Sequence, residues 1–212
     1  MRISEDRYTR DLRRLELARR MLHLEARTRT ICTWTGVSRD RVRKLARAST
    51  PPDCPAGPMR HRGQSPHQIG YFFKSPRINA HASALACLCE MYEVLRPAPT
   101  TIPAQQFPSL ARGENLCTAY EIYRAITLNS LISFEHGVLL ATALAQGDEL
   151  ALNPCQECGG LFLIDRFAHH DERCEHCQSG VGDTFESIVS SPLTDQTEEE
   201  TDPVQLSLFK ES

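Results

Sequence analysis

Apolar residues recur at helical spacing along residues 6–24. Tyr8, Leu12, Leu15, Ala18 and Leu22 form one stripe, and Leu17, Met21 and Leu24 form a second beside it. The face is wide enough to serve both a core and a partner helix, and Leu12, Leu15, Leu17 and Met21 are the candidate partner contacts. Residues 28–47 (TRTICTWTGVSRDRVRKLAR) read as two shorter helices. The first ends near Trp34 and Thr35. Gly36 sits where the turn needs a positive φ, which glycine adopts without steric cost. Val37 reads as the buried turn residue and Ser38 as the N-cap of the second helix. Val42 and Leu45 then point back at Ile31 and Cys32. Pro and Gly cluster over 51–66 and break the pattern. IGYFF (69–73) is expected to run extended across a surface. Helical periodicity resumes over 79–95, with Ala80, Ala84, Cys87, Met91 and Leu95 on one face. After a second break over 97–108, a helical pair is expected at 114–128 and 130–146. Residues 161–164 (LFLI) read as a short strand.

These elements predict a mainly α fold. Residues 1–50 form a long helix and a helix-turn-helix, 51–78 an irregular segment, and 79–150 a helical core. Residues 151–180, where Cys155 and Cys158 form one C-x-x-C pair and Cys174 and Cys177 another, are expected to form a zinc ribbon, and 181–212 a polar, acidic tail expected to be disordered.

Charge sharpens this picture. The net charge of −3 conceals a segregation: residues 1–80 hold 18 Lys and Arg against 7 Asp and Glu, whereas 81–212 hold 6 against 20. A basic half of this kind points to a polyanionic partner. Fourteen of the basic residues fall in the first 50, around the two short helices. A recognition helix enters the major groove by its N-terminal part and reads base edges there. Ser38, Arg39, Asp40, Arg43 and Lys44 are the candidates for base edges. Arg27, Arg29, Arg41 and Arg47 are the candidates for phosphates, which position a protein without reading sequence. The bland alternative is a helical hairpin with a solvated basic face, which leaves the charge segregation unexplained.

Cysteine spacing carries the second site. In CQECGGLFLIDRFAHHDERCEHC, Cys155 and Cys158 form one C-x-x-C pair and Cys174 and Cys177 another, fifteen residues apart. That interval suits a zinc site. Two knuckles supply four thiolates to a tetrahedral Zn²⁺, one structural ion per chain. A thioredoxin-type pair needs a βαβ setting that is missing here. Paired disulfides need an oxidising compartment. A catalytic zinc keeps an open position, which four cysteines close. His169, His170 and His176 could replace a cysteine but read as exposed loop residues. Cys32, Cys54, Cys87, Cys89 and Cys117 read as small apolar residues. The odd cysteine total without a secretory segment leads to an expected cytoplasmic location. The longest apolar stretch, 138–145, is too short to span a membrane.

Taken in order, TGVSRDRVRKL, the N-A-H-A-S run at 79–83 and CQECGG…CEHC resemble the FlhC family of flagellar master transcription regulators over about residues 6–180. The resemblance implies a hetero-oligomer with FlhD, a small helical dimeric protein. It also implies that this chain carries the zinc and most of the contact with double-stranded promoter DNA, and that it activates transcription through RNA polymerase. FlhC-like activators of conjugative-transfer genes are an alternative of the same mechanism. A zinc-containing nucleic-acid processing factor is an alternative of another class. It would need a catalytic constellation, and no two-metal carboxylate cluster, Gly-rich phosphate loop or nucleophile pair stands out, so no enzyme activity is expected. Near the C-terminus, Gln205, Leu206, Ser207, Leu208 and Phe209 resemble the peptide by which bacterial proteins dock on the DNA sliding clamp. The bland reading of that peptide is a segment that packs on its own protein.

Overall fold

The wide apolar stripe of the first helix is divided between core and surface. In the computed structural model, which describes residues 2–48, 65–95, 108–168 and 172–179 (side chains within 7–178), α1 spans Arg2–His23. Leu17, Ala18, Met21 and Leu24 are buried, Leu15 and Leu22 half-buried, and Tyr8 and Leu12 exposed. Two of the four candidate partner contacts, Leu17 and Met21, therefore belong to the core and offer a partner no surface. The reason is the helix that crosses them, α5 (Leu110–Ile126). Its Gly113 comes so close that an added Cβ would lie 2.8 Å from Leu17 and 3.4 Å from Met21. Bidentate Arg13–Glu114 and Arg20–Glu121 pairs run along the same contact.

α2 (Thr28–Thr35) and α3 (Arg39–Ala48) follow α1 at the expected positions. Gly36 has φ 70°, and its N–H closes α2 on the Cys32 carbonyl. Val37 is buried in the turn, and Val42 and Ala46 are the buried side of α3. Ile69–Phe73 differs from expectation: it is a 3₁₀ turn rather than an extended crossing. Phe72 is fully buried, and the Tyr71 ring stacks on His136 at 4.0 Å while its hydroxyl donates to Leu131 O. A segment with two aromatic anchors in succession must curl to seat both.

α4 (Pro76–Met91) begins three residues before the apolar pattern does. Ser75 Oγ accepts from Ile78 N and Pro76 takes the first turn, a strong helix start. The same rule sets α5, capped by Ser109, and α6 (Phe134–Gln146), capped by Ser133 and closed by Gly147 at φ 72°. The stripe of Ala80, Ala84, Cys87 and Met91 is not the most buried side of α4. Asn79, His81, Ala82, Leu85, Ala86 and Cys89 are buried, Ala80, Ala84 and Cys87 are half-covered, and Met91 is exposed. α4 is packed on two sides, so a single stripe does not describe it.

β1 (Leu150–Pro154) and β2 (Leu161–Asp165) pair antiparallel, with Leu152 opposite Leu163, and α7 (Glu175–Ser179) follows. One apolar core runs from Leu17 through α2, α4, α5 and α6 to Leu163, and a small second cluster of Cys155, Phe162 and Ile164 lies under the cysteines. Among the described residues no helix is long and apolar enough to cross a membrane. The Pro-rich run 51–64 with Cys54, most of the 97–108 break, His169, His170, the acidic tail and the 205–209 peptide lie outside the described residues.

Candidate functional site

The β1–β2 turn builds the first knuckle. Gly159 takes φ 72°, so the chain reverses after Cys158, and its N–H bonds back to the Cys155 carbonyl. Cys155 N donates to Gly160 O, which closes the turn. The second knuckle opens α7, where Gln178 N bonds Cys174 O. Gln156 N donates to Glu172 O and ties the knuckles together.

The four sulfurs of Cys155, Cys158, Cys174 and Cys177 lie within 4.8 Å of one another, and Cys158 Sγ is 3.8 Å from Cys174 Sγ. A tetrahedral ion with sulfur ligands at about 2.3 Å places them about 3.8 Å apart, so the residues fit a four-thiolate metal ion. All four are free thiols. Backbone N–H groups, first that of Cys158 and then that of Cys174, bring the Cys155 thiol down to about 6. Burial and then hydrogen bonds among the crowded sulfurs push Cys177 up. A cation would relieve that crowding, because it stabilises every thiolate at once. His176 is exposed on α7 and stands outside the cluster.

The unit is stitched to the helical core by two polar residues on α4. Asn79 Nδ2 donates to Leu163 O at 3.3 Å, and Leu163 N donates to Ser83 Oγ at 2.9 Å. Ser83 Oγ in turn donates to Asn79 Oδ1. The pair, one helical turn apart, thus satisfies both backbone groups of a residue on the outer edge of β2. This was missed in the sequence, although two polar residues at i and i+4 inside an Ala-rich helix were the available signal.

The second site is the outward side of α3. Ser38, Arg39, Asp40, Arg41, Arg43, Lys44 and Arg47 are all exposed, as is Arg29 on α2. Arg43 leans on Asp40 at 3.4 Å across a fully wet pair, a contact worth little. Arg27 is different. Its backbone N–H donates to Glu135 Oε1 at 2.8 Å, and its guanidinium Nε lies 3.9 Å from Glu135 Oε2 with only 18% of the side chain exposed. Arg27 is a tether between α2 and α6, which leaves its guanidinium less available to a phosphate than those of Arg29, Arg41 and Arg47. Glu135, 6% exposed, also accepts from Thr30 Oγ1 at 3.0 Å. A single glutamate in the otherwise apolar run of α6 was its only trace in the sequence.

No protein-family model matches this chain, and no curated protein matches it.

Proposed function

We propose that the chain is a zinc-stapled, sequence-specific DNA-binding activator of transcription. α2, Gly36 and α3 serve as a helix-turn-helix, and the N-terminal half of α3 reads the major groove. The observation that carries the reading is the division of α3: Val42 and Ala46 face the core, while Arg39, Arg41, Arg43, Lys44 and Arg47 are all exposed. A recognition helix needs such a split, anchored on one side and basic on the other. Arg39, Arg43 and Lys44, with Ser38 and Asp40, are assigned to base edges, and Arg29, Arg41 and Arg47 to phosphates. The segregation of charge supports a polyanion at this end of the chain.

Zn²⁺ suits the four cysteines because soft thiolates in a tetrahedron select it, and a closed shell leaves no open position for catalysis. Its part is structural: it holds β1, β2 and α7 together against α4. The resemblance to FlhC adds the partner, a FlhD-like helical protein, and action through RNA polymerase at flagellar promoters. The surface left for that partner on α1 is Tyr8 and Leu12, with Leu15 half-buried beside them.

The test is duplex binding by the metal-loaded protein with its partner, using a selected site and a random duplex. Arg43→Ala should weaken the selected site by about 1–3 kcal/mol and relax preference at one base. Equal losses on both duplexes would make Arg43 a phosphate contact and refute the base-reading assignment.

A further inference from the structure

The four cysteines are unequally covered. Cys155 is 3% exposed, lies in the small apolar cluster with Phe162 and Ile164, and accepts from Cys174 N at 3.3 Å. Cys174 and Cys177 are half-buried, and Cys158 is exposed. A cleft of about 670 Å³ opens on one side of the group, and of the four cysteines it is Cys158 and Cys174 that line it. Their sulfurs lie 3.8 Å apart. One comes from each knuckle, so a bond between them would join the β1–β2 turn to the residue before α7.

The rest of the cleft is largely apolar. Ala80 and Ala84 of α4 form one wall, and Leu161, 42% exposed, forms the floor with Phe162. The polar side chains of Asn79 and Ser83 are engaged with Leu163, and Cys87 Sγ, also on the cleft, contacts Leu161 O at 3.6 Å. A lining of this kind and size takes a small, uncharged molecule with an apolar body. What it offers that molecule chemically is sulfur, whose thiolate is a nucleophile. Two sulfurs in near contact suit a two-electron oxidant, because the second completes the reaction begun on the first.

We propose that Cys158 and Cys174 form an oxidation site for an organic hydroperoxide bound in the cleft between α4 and the four-cysteine unit. The Cys158 thiolate attacks the terminal oxygen of the hydroperoxide. An S–O bond forms, the O–O bond breaks, and the alkoxide leaves and takes a proton from water to become the alcohol. Cys158 is then a sulfenic acid. The Cys174 thiolate attacks its sulfur, the S–S bond forms and hydroxide leaves. Each sulfur has given up one electron, and the hydroperoxide has taken both. The oxidation rests on the cleft and the sulfur pair. Its consequence, release of the metal, rests on the zinc reading: the disulfide leaves only Cys155 and Cys177 as thiolates, too few to close a tetrahedral shell.

The experiment treats the full chain, loaded with Zn²⁺, with cumene hydroperoxide or hydrogen peroxide. Ion release is followed with a colorimetric chelator, and disulfides are mapped by mass spectrometry of unreduced peptides. A Cys158–Cys174 disulfide is expected, with loss of one ion for each disulfide formed. With dimedone present, the sulfenic acid should be trapped on Cys158. The ratio of the rate with cumene hydroperoxide to that with hydrogen peroxide should exceed the ratio for free glutathione. Ala84→Leu, which narrows the cleft, should lower it towards the glutathione value. A disulfide within one knuckle, or from Cys158 to Cys87, would overturn the pairing, and trapping on another cysteine would overturn the order of attack. A ratio equal to that of glutathione would overturn the cleft as the binding site. Disulfide formation with the ion retained would overturn the release. A chain that takes up no metal yet forms the Cys158–Cys174 bond would refute the zinc reading and leave the oxidation site standing.

Discussion

Glu135 holds α2 to the core, and removing it should loosen α2 and the α3 helix packed on it. Its carboxylate accepts from Arg27 N at 2.8 Å and Thr30 Oγ1 at 3.0 Å, with Arg27 Nε at 3.9 Å. It also sits at the entry to α2, where a negative charge meets the positive end of that helix dipole. Hydrogen bonds to a charged group contribute about 1.5–3 kcal/mol each, and truncating one partner of a buried pair costs about 3–5 kcal/mol. Arg27 is partly exposed and can turn towards water, so Glu135→Ala should cost about 2–4 kcal/mol. In a chain of this length that is a fall in Tm of about 5–15 °C. Glu135→Gln keeps an acceptor for Arg27 N and loses only charge assistance, so it should cost about 1–2 kcal/mol. Urea unfolding with metal present measures both. The same variants should weaken duplex binding although no residue of α3 has changed. If Glu135→Ala stays within about 0.5 kcal/mol of the parent, or if Gln is worse than Ala, the tether reasoning fails.

Three further outcomes follow from the geometry. Ser83→Ala strands the Leu163 N–H in a buried setting and should destabilise the chain by about 1–3 kcal/mol. Amide exchange at Leu163 should rise with it, and an unchanged rate would mean that another group replaces the serine. Metal removal should loosen the two cysteine knuckles and α7 and leave most of the helical signal, because only the small cluster of Cys155, Phe162 and Ile164 lies under the cysteines, whereas Leu150 and Leu163 belong to the main core. Loss of the whole helical signal on chelation would show that the unit and core fold as one. Burial, then the charge of Arg77, lowers the His81 pKa, and its Nδ1 lies 2.7 Å from the Tyr123 hydroxyl. An imidazole whose pKa in the fold lies below the roughly 6.5 of the unfolded chain contributes stability that is complete above that pH and lost as pH falls below it. Urea midpoints of His81→Phe should therefore vary less between about pH 7 and pH 5 than those of the parent, and equal slopes would contradict this.

What could be read from the sequence was whatever depends on near neighbours. Gly36 at a positive φ, Val37 buried behind it, the short strand at 161–164 and the gathering of four cysteines all follow from spacing over a few residues. The helix starts of α4, α5 and α6 were shifted by three or four positions, because Ser75, Ser109 and Ser133 set them rather than the first apolar residue. The larger misses are non-local. Nothing near Leu17 and Met21 says that Gly113, about a hundred residues away, brings a helix across them. Ala80, Ala84 and Cys87 look like a core stripe because α4 is apolar nearly all round, and only tertiary packing decides which side is covered. Arg27 looks like its basic neighbours until Glu135 is found beside it.

Sequence reading by α3 is the proposed activity. Mapping genome-wide occupancy of the tagged, metal-loaded protein, with its native partner present and with Arg43→Ala alongside, tests it most directly. The account predicts discrete peaks that share a motif, with flagellar promoters among them, and a motif degraded at one position in the variant. Occupancy without discrete peaks, or peaks identical in the variant, would contradict it.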